Sequence, residues 1–463
     1  MRRTKIRNLH FVGIGGSGMS GIAEVLLNQG FRVRGSDMKD SQIVRRLTGL
    51  GAEIHIGHQA DHVRDAEVVV ISSAVKEDNV EVQEARRLKI PVIKRAEMLS
   101  ELMRTKYGIA VAGAHGKTTT TSLVAQVLTN AGLDPTVVIG GRLSTFGSSA
   151  RLGQSDIMVA EADESDGSFL RLSPAVVVVT NLDAEHLDYY GSLDEIKQAF
   201  LEFIDKVPFY GLSVLCLDNP GLQDLIPHVH RRMVTYGLSA QADVRAFDVK
   251  QRGPTTSFRV MAGDRDMGPI TLNLPGIHNM FNALAAICVG MELDVSFESA
   301  AESLQRLGQV QRRLEILGSV DEVMVVDDYA HHPTEIKATL EAVQSSWKER
   351  RIVAVFQPHR YSRSFHLHDE FVKSFYQADH LVITEIYPAG EKPIKDVNGH
   401  RMFEGIRDHG HRDVLFLEND AEIVEHLVSF CRPGDLLLTM GAGNVYEVGL
   451  KFLEQKMENA VRA

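Results

Sequence analysis

Short apolar runs alternate along the chain with glycine-rich turns and with longer segments whose apolar residues recur at helical spacing. From residue 8 onward this pattern predicts a strand at 9–12, a glycine turn, a helix at 19–29, and further strands at 31–34, 68–72 and 92–93 that are separated by helices. Strands that alternate with helices are typical of a doubly wound parallel sheet. We predict a first α/β domain that ends near residue 106.

The same alternation begins again twice. A strand at 109–112, a glycine turn and a helix at 118–130 precede strands at 156–160, 175–180 and 213–217. Between 233 and 274 the spacing changes to short alternating strands, which predicts an antiparallel flank before the alanine-rich helix 280–291. Five more strands follow, at 323–326, 352–356, 381–384, 414–416 and 436–439. We therefore predict three α/β domains, at 1–106, 107–310 and 311–463.

Composition narrows the class of protein. The 463 residues include 50 Lys plus Arg against 61 Asp plus Glu, and the net charge of -11 provides no basic surface for general nucleic-acid binding. No apolar run approaches the length of a membrane span, about 18 residues, so we expect no membrane insertion. The three cysteines form no CxxC pair, which excludes a zinc cluster or a disulfide framework and favours a cytoplasmic location.

The first glycine turn is a nucleotide-binding motif. Gly13, Gly15, Gly16, Ser17 and Gly18 lie between a strand and a helix, and Asp37 ends the next strand at the spacing of a dinucleotide fingerprint. The glycines allow backbone amides to approach a diphosphate at the helix N-terminus, whichever nucleoside it carries. A nicotinamide cofactor, another nucleotide diphosphate and a turn that only packs the helix remain open.

The second glycine turn resembles a phosphate-binding loop that lacks the first Walker glycine, since Val111 stands at that position. Its residues are Gly113, Ala114, His115, Gly116, Lys117, Thr118 and Thr119. Lys117 is suited to β- and γ-phosphate oxygens and the Thr118 hydroxyl to Mg²⁺. A helix start without a ligand is the alternative reading.

Ionisable residues follow several predicted strands. Glu161 comes directly after one strand and His186 soon after the next, at the sheet edge where Mg²⁺ beside the phosphates is expected. Asp163, Glu164 and Asp166 fit either that site or a solvated surface. In the third domain the candidates are Asp328, His331, His359, Arg360 and Arg363, whose spacing matches no usual zinc site.

Taken in order, these motifs resemble those of the Mur ligases of peptidoglycan synthesis. The resemblance covers residues 8 to about 450 and is carried by Gly13–Met19, Gly113–Thr120, Glu161–Asp166, His186, Gly276–Asn282, Arg312–Arg313, Asp328–Pro333 and His359–Arg363. It implies an N-terminal Rossmann-like UDP-binding domain, a central P-loop ATPase-type domain and a C-terminal Rossmann-like domain.

The activity that the resemblance implies is ATP-dependent amide-bond synthesis with Mg²⁺, which joins L-alanine to the lactyl carboxylate of UDP-N-acetylmuramate through an acyl phosphate. It implies that Lys117, Glu161 and His186 are catalytic, and that Thr118, Glu161 and His186 bind metal. ATP would also be bound by the second glycine turn, Asn279, Asn282, Arg313 and Asp328. The amino acid would be bound by His331, His359, Arg360 and Arg363. The UDP-sugar would be bound by the first glycine turn, Met19, Ser36, Asp37, His58 and Ser73.

One departure from the family concerns a carbamylated lysine that several sister ligases hold about fifteen residues after the histidine that corresponds to His186. Here Phe200, Leu201 and Glu202 occupy that stretch, so Glu202 is expected to supply the carboxylate directly, with Lys197 as the less favoured substitute. A nicotinamide-dependent oxidoreductase, a P-loop regulator without synthetic chemistry, and a sister ligase that adds another amino acid or a peptide remain alternatives. Oligomeric state is left open.

Overall fold

The computed structural model describes residues 6–72, 74–143, 148–306 and 310–462, which form three β-sheets with helices between the strands. The predicted three-domain α/β fold class is confirmed, with three sheets whose strands are mainly parallel. By internal packing the chain divides into two compact units. One comprises 1–247, 259–270 and 281–307, and the other 248–258, 271–280 and 308–463. The predicted boundaries at 106/107 and 310/311 stay predictions.

The first sheet is fully parallel in the order β3-β2-β1-β4-β5, so the strand order reverses between β1 and β4. Ligands of open parallel sheets bind at such a reversal, outside the carboxyl ends of the strands. Its elements are β1 (Asn8–Val12), α1 (Ser17–Asn28), β2 (Arg32–Asp37), α2 (Gln42–Gly49), β3 (Glu53–Ile56), β4 (Val68–Ile71), α3 (Val80–Arg87), β5 (Val92–Lys94) and α4 (Arg95–Met103).

The second sheet has the order β15-β14-β13-β12-β11-β10-β6-β9-β7-β8, with parallel pairing from β13 to β7. Its elements are β6 (Tyr107–Ala112), α5 (Lys117–Asn130), β7 (Thr136–Leu143), β8 (Ser148–Arg151), β9 (Ile157–Glu161), β10 (Val176–Val179), α6 (Leu187–Tyr190), α7 (Leu193–Asp205), β11 (Leu212–Cys216), α8 (Pro220–Leu225), β12 (Met233–Gly237), β13 (Val244–Arg252), β14 (Thr255–Ala262), β15 (Arg265–Leu272), α9 (Ile277–Glu292) and α10 (Phe297–Arg306).

Two further features of the second sheet follow from local sequence. Only two residues join β13 to β14, and only two join β14 to β15, so these neighbours run antiparallel, because a parallel pair needs a long crossover. The flank matches the prediction from the alternating pattern. By contrast, β10 is buried along its whole length, as its unbroken run of valines requires in a sheet covered on both faces.

The third sheet has the order β16-β17-β21-β18-β19-β20, and all its pairs are parallel except β16 with β17. Each face is covered by an apolar core, one around Phe356, Phe371 and Phe375 and one around Val448 and Phe452. Its elements are β16 (Glu315–Val320), β17 (Val323–Asp328), α11 (Pro333–Ser346), β18 (Ile352–Phe356), α12 (Tyr361–His366), α13 (His368–Phe371), β19 (His380–Ile383), α14 (Gly399–Asp408), β20 (Val414–Phe416), α15 (Asp420–Phe430), β21 (Leu436–Met440) and α16 (Tyr446–Arg462).

A helix that crosses a bilayer must be long and apolar. Across the described ranges, no helix could cross a membrane. The loops that carry the candidate polar residues follow the carboxyl ends of strands. These strands are β1, β2, β6, β9, β10, β17 and β18, and this position brings the side chains of the loops to the sheet edges.

Helix α7 is anchored by aromatic packing that we expect to dominate its stability. Phe203 is fully buried, and its ring centroid lies 4.7 Å from that of Phe169, which follows the acidic loop, residues 161–166. Replacing Phe203 with Ala should lower the free energy of unfolding by about 3–5 kcal/mol, through lost burial and a cavity.

Phe209 provides the matched control because its side chain is 89% exposed. Phe209→Ala should change the free energy of unfolding by no more than about 0.5 kcal/mol. Urea titration monitored by circular dichroism measures both variants. Similar losses in the two would contradict the assigned packing.

Candidate functional site

The glycine turn after β1 is closed by backbone hydrogen bonds to β2. The amides of Gly13 and Ile14 donate to the Ser36 carbonyl at 2.8 and 3.0 Å, and Gly13 has a φ of +74°, which favours glycine. The Gly15 amide donates to Asp37 Oδ2 at 2.8 Å. Asp37, which the fingerprint assigns to a ribose, therefore also fixes the shape of the turn.

The start of α1 meets α4 at this turn. A Cβ on Gly18 would displace the Arg95 guanidinium, and a Cβ on Gly16 would lie 3.3 Å from the Gly13 carbonyl oxygen, so a larger residue at either position would crowd the turn. Met19 is buried in the core beneath the turn. The predicted Ser73 lies outside the described residues, as does the side chain of Ser17.

Arg95 connects the first glycine turn to the acidic loop of the second sheet. Its Nη2 donates to Asp163 Oδ2 at 2.7 Å. Burial alone would raise the pKa of Asp163, but hydrogen bonds from Ser165 and the charges of Arg95 and Lys117 lower it below the usual value. Sequence reasoning missed Arg95, since a single arginine at a helix start carries no motif.

The second glycine turn caps α5 with left-handed backbone. Gly116 has a φ of +81°, and a Cβ there would lie 2.7 Å from Asn282 Oδ1. Asn282 also accepts a hydrogen bond from Thr120 Oγ1 at 3.0 Å, so the predicted ATP-facing asparagine packs against the turn itself. Gly113 is confined by Thr180, which a Cβ would strike. Thr119 is buried in the first turn of α5.

His115 is held by the loop that follows β10. Its amide donates to Asn181 Oδ1 at 2.8 Å, and its Nε2 lies 3.0 Å from Asp183 Oδ2. The His115 carbonyl accepts from the Thr180 hydroxyl at 2.6 Å. Ala114 is joined to the same loop, because its amide donates to the Asn181 carbonyl at 3.2 Å. These bonds fix the turn before any ligand arrives.

Lys117 lies at the centre of a charged cluster. Its Nζ donates to the carbonyls of Gly113 and Ala114 at 2.6 and 3.0 Å and to Glu164 Oε1 at 2.8 Å. Burial alone would lower the pKa of Lys117, but Glu164 and Glu185 outweigh it and raise the pKa above its usual value. The lysine is therefore a cation at neutral pH.

Carboxylates surround this cation. Glu161 ends β9 in register with Val111 of β6, which places it at the edge where Lys117 and Thr118 open α5. Glu164, Glu185 and His186 form a second group whose ligand atoms all lie within 4.8 Å of one another. His186 Nε2 is 3.6 Å from Glu164 Oε1, and His186 has a left-handed φ of 56°. Carboxylate oxygens fit Mg²⁺, and the set as a whole fits a divalent cation.

Glu164 and Glu185 were not singled out as ligands by the sequence. Glu164 is only 3% exposed, so it does not belong to a solvated surface, which was one of the two interpretations left open by the sequence. Glu202, the expected source of a carboxylate, is instead exposed, and its Oε1 lies 3.5 Å from Lys206 Nζ on the next turn of α7. Lys197 pairs with Asp224 at 2.8 Å.

A cavity of about 350 Å³ lies within the first compact unit. Gly16, Gly18 and Arg95 line one part of it, and Lys117 and Glu161 line another. The same cavity is therefore bordered by the turn suited to a diphosphate and by the cation and carboxylate suited to a phosphoryl group and its metal.

In the other unit, the predicted ATP contacts are tied into local structure. Asp328 accepts from the amides of Leu314 and Ala330, each at 2.8 Å, and burial raises its pKa to about 6 despite Arg313 nearby. Arg313 Nη1 lies 3.7 Å from Glu335 Oε1. Asn279 donates to the Pro275 carbonyl at 2.7 Å.

The predicted amino-acid contacts come together at the edge of the third sheet. The His331 and His359 rings are 5.8 Å apart, and Arg363 Nη1 lies 3.3 Å from His359 Nδ1. Burial lowers the pKa of His359 to about 3, with help from His331 and Arg363, so this imidazole is neutral. Arg360, with a φ of 70°, precedes α12 and is exposed.

Family models match almost the whole chain. The Mur ligase family catalytic domain matches residues 8–107, the Mur ligase middle domain 111–290, and the domain described as Mur ligase, glutamate ligase domain, 312–443.

Individual relatives agree with these models. The chain is 57% identical to a UDP-N-acetylmuramate–L-alanine ligase of Geotalea daltonii, with 98% of this chain and 99% of that protein aligned. It is 58% identical to one from a Geobacter species, with 96% of each covered. A crystal structure of the UDP-N-acetylmuramate-alanine ligase from Thermotoga maritima superposes with a TM-score of 0.83 at 29% identity, covering 98% and 99% of the two chains.

The cluster of Glu164, Glu185 and His186 makes a prediction about cation binding. Glu164→Gln keeps the shape of the side chain but removes one anionic ligand, so Mn²⁺ should bind at least about tenfold more weakly, since even outer-shell changes cost that much. Electron paramagnetic resonance of free Mn²⁺, titrated with protein and a non-hydrolysable ATP analogue, measures the affinity.

Glu195→Gln is the control, because Glu195 is an exposed carboxylate in the first turn of α7. Its Mn²⁺ affinity should equal that of the unchanged protein. Equal affinities in both variants would mean that Glu164 does not hold the cation.

Proposed function

The chain belongs to the Mur ligase family, and from this premise we propose that it joins L-alanine to the lactyl carboxylate of UDP-N-acetylmuramate with the hydrolysis of ATP to ADP and phosphate. This activity serves the synthesis of peptidoglycan precursors. The relatives at 55–58% identity carry the name of this activity, and they favour alanine over the substrates of sister ligases. We place the reaction in the cytoplasm, a setting that suits three buried free thiols.

The observation that carries the proposal is the shared cavity of the first unit. The turn at Gly16 and Gly18, at the N-terminus of α1, borders the space proposed for the sugar diphosphate, and Lys117 and Glu161 border the same space. A sugar nucleotide held there by its diphosphate directs its acyl end toward Lys117. Neither an oxidoreductase nor a P-loop regulator accounts for this combination of one diphosphate turn and one phosphoryl site.

The first chemical step is phosphoryl transfer to the lactyl carboxylate. An oxygen of that carboxylate attacks the γ-phosphorus of ATP, the bond to the β,γ-bridging oxygen breaks, and ADP leaves. Lys117 stabilises the charge on the transferred group, since such transfer depends mainly on position and charge neutralisation. Thr118 and Glu161 would hold one Mg²⁺, and Glu164, Glu185 and His186 a second cation, which together supply further charge neutralisation.

The second step is attack of the alanine amine on the acyl phosphate, which releases phosphate and forms the amide. We assign His331, His359, Arg360 and Arg363 to the amino-acid end, with an arginine suited to the alanine carboxylate. The low pKa of His359 keeps its ring neutral beside these arginines. We assign Asn279, Asn282, Arg313 and Asp328 to positioning around ATP.

The direct test is phosphate release from Mg-ATP with UDP-N-acetylmuramate, with and without L-alanine, with the product mass recorded. Release that requires both substrates, with an alanine-sized gain in mass on the sugar nucleotide, is expected. Release with another amino acid or a peptide would move the assignment to a sister ligase. Phosphate release that does not depend on UDP-N-acetylmuramate would refute the proposal.

Lys117→Ala should lower kcat by at least about a hundredfold, because the transferred phosphoryl group loses its cation. The dissociation constant of UDP-N-acetylmuramate should stay within about twofold, since the glycine turn after β1 is unchanged. Phosphate-release assays measure kcat, and isothermal titration calorimetry measures the dissociation constant of the sugar nucleotide.

Lys206→Ala removes a lysine of the same unit that pairs with Glu202 on the surface of α7, and should retain normal turnover. Loss of sugar-nucleotide binding in Lys117→Ala would contradict separate sites for the two ligands.

A further inference from the structure

A carboxylate with no exposed surface lies near the carboxyl ends of the strands of the first sheet. Glu81, in the first turn of α3, is fully buried and accepts from Ser36 Oγ at 2.6 Å and from the Gln59 amide at 3.3 Å. His62 Nδ1 lies 2.7 Å and His10 Nε2 3.4 Å from its oxygens. Among the contacts described for Glu81, none comes from lysine or arginine.

Glu81 is nevertheless ionised. Burial alone would raise its pKa, but the donors of His10, Ser36 and His62 lower it to about 2. A charged carboxylate accepts hydrogen bonds and donates none. Every group that contacts it must therefore direct a proton toward it, and this requirement fixes the orientation of the whole network.

The ionised carboxylate also fixes the proton positions of Ser36 and His58. The Ser36 hydroxyl has one proton, which it donates to Glu81 Oε2. Its oxygen can then only accept, so the His58 Nδ1, 3.0 Å away, must be the donor in that contact. His58 Nδ1 is also 3.4 Å from Glu81 Oε2, which favours the same proton position. In the neutral ring, Nε2 of His58 is left as a hydrogen-bond acceptor.

Among the histidines that contact Glu81 or Ser36, His58 has the most exposed side chain, since His62 is 11% exposed. Its side chain is 20% exposed and follows β3, next to the glycine turn across β2, whereas Glu81 and His10 have no exposed surface. Asp37, the other candidate at this edge, already accepts from the Gly15 and Lys39 amides. The nucleoside of a diphosphate bound at the glycine turn would therefore lie near an imidazole whose tautomer is fixed by Ser36 and Glu81.

We propose that Glu81 is a positioning residue that, through Ser36, fixes the His58 tautomer so that Nε2 accepts a hydrogen bond from the N3–H of the uracil ring. This inference rests on the proposed function, which supplies the uridine. A ribose hydroxyl both donates and accepts and needs no fixed tautomer, whereas uracil N3–H only donates. Cytosine presents an acceptor at N3, so the arrangement selects uridine over cytidine nucleotides.

The test compares dissociation constants of UMP, CMP and N3-methyl-UMP for the full-length enzyme by isothermal titration. The unchanged enzyme should bind UMP at least about tenfold more tightly than either analogue, because each leaves the His58 acceptor unpaired or blocked. Glu81→Gln, with an amide in place of the anion, should reduce the UMP preference to within about threefold. Its affinity for an ATP analogue should not change.

Glu84→Gln is the matched control, because Glu84 lies on the same helix and pairs with Arg87 instead. It should keep the full UMP preference. Nitrogen-15 NMR of labelled histidine supplies a readout that general destabilisation would not produce. We expect a protonated Nδ1 and a bare Nε2 for His58, and loss of this signature in Glu81→Gln but not in Glu84→Gln.

Two results would overturn the inference and leave the proposed function intact. One is equal binding of UMP and N3-methyl-UMP by an enzyme that still consumes UDP-N-acetylmuramate, a comparison that needs no variant to fold. The other is a folded Glu81→Gln variant with an unchanged UMP preference. Failure of the unchanged enzyme to consume UDP-N-acetylmuramate would instead overturn the proposed function.

Discussion

The ion pair of Lys117 and Glu164 is the interaction around which the phosphoryl site is organised. Without the ammonium, the carboxylates of Glu164 and Glu185 would share a small buried space, where like charges repel strongly because water screens them little. The lysine also closes the turn through the carbonyls of Gly113 and Ala114. Charge balance and loop shape therefore depend on one side chain.

This balance links the two ligands that the proposal places there. A nucleotide brings negative phosphates that attract Lys117, and a lysine drawn away leaves Glu164 without its cation. A divalent ion at Glu164, Glu185 and His186 would restore the balance, so under the proposed function nucleotide and metal would favour each other at this edge. The charge of buried Glu81, in the first turn of α3, is instead stabilised by hydrogen-bond donors and histidines without a lysine or arginine among its described contacts.

The sequence predicted those parts of the site that depend on consecutive residues. Both glycine turns have the strand-turn-helix context that their spacing indicates, because left-handed φ at Gly13 and Gly116 is a local requirement. Glu185, Arg95 and Glu81 were not predicted as site residues, and Glu164 was left open between a metal site and a solvated surface, since only burial distinguishes these side chains from ordinary surface charges. Glu202 illustrates the reverse failure. Counting residues along α7 gave its distance from His186 but not the helix face on which it lies.

The two ion pairs beside the shared cavity differ in how readily they exchange partners. Arg95 and Asp163 retain partial exposure, with side chains 23% and 42% accessible, so water and salt weaken their attraction and a diphosphate can compete for the arginine. Lys117 is about as accessible as Arg95, at 21%, but Glu164 is only 4% accessible, so separating this pair without a replacement leaves a buried carboxylate unpaired. Under the proposed function, the Arg95 pair at the sugar-nucleotide end could thus rearrange on its own, whereas the Lys117 pair at the phosphoryl end would rearrange only when another cation takes the place of Lys117.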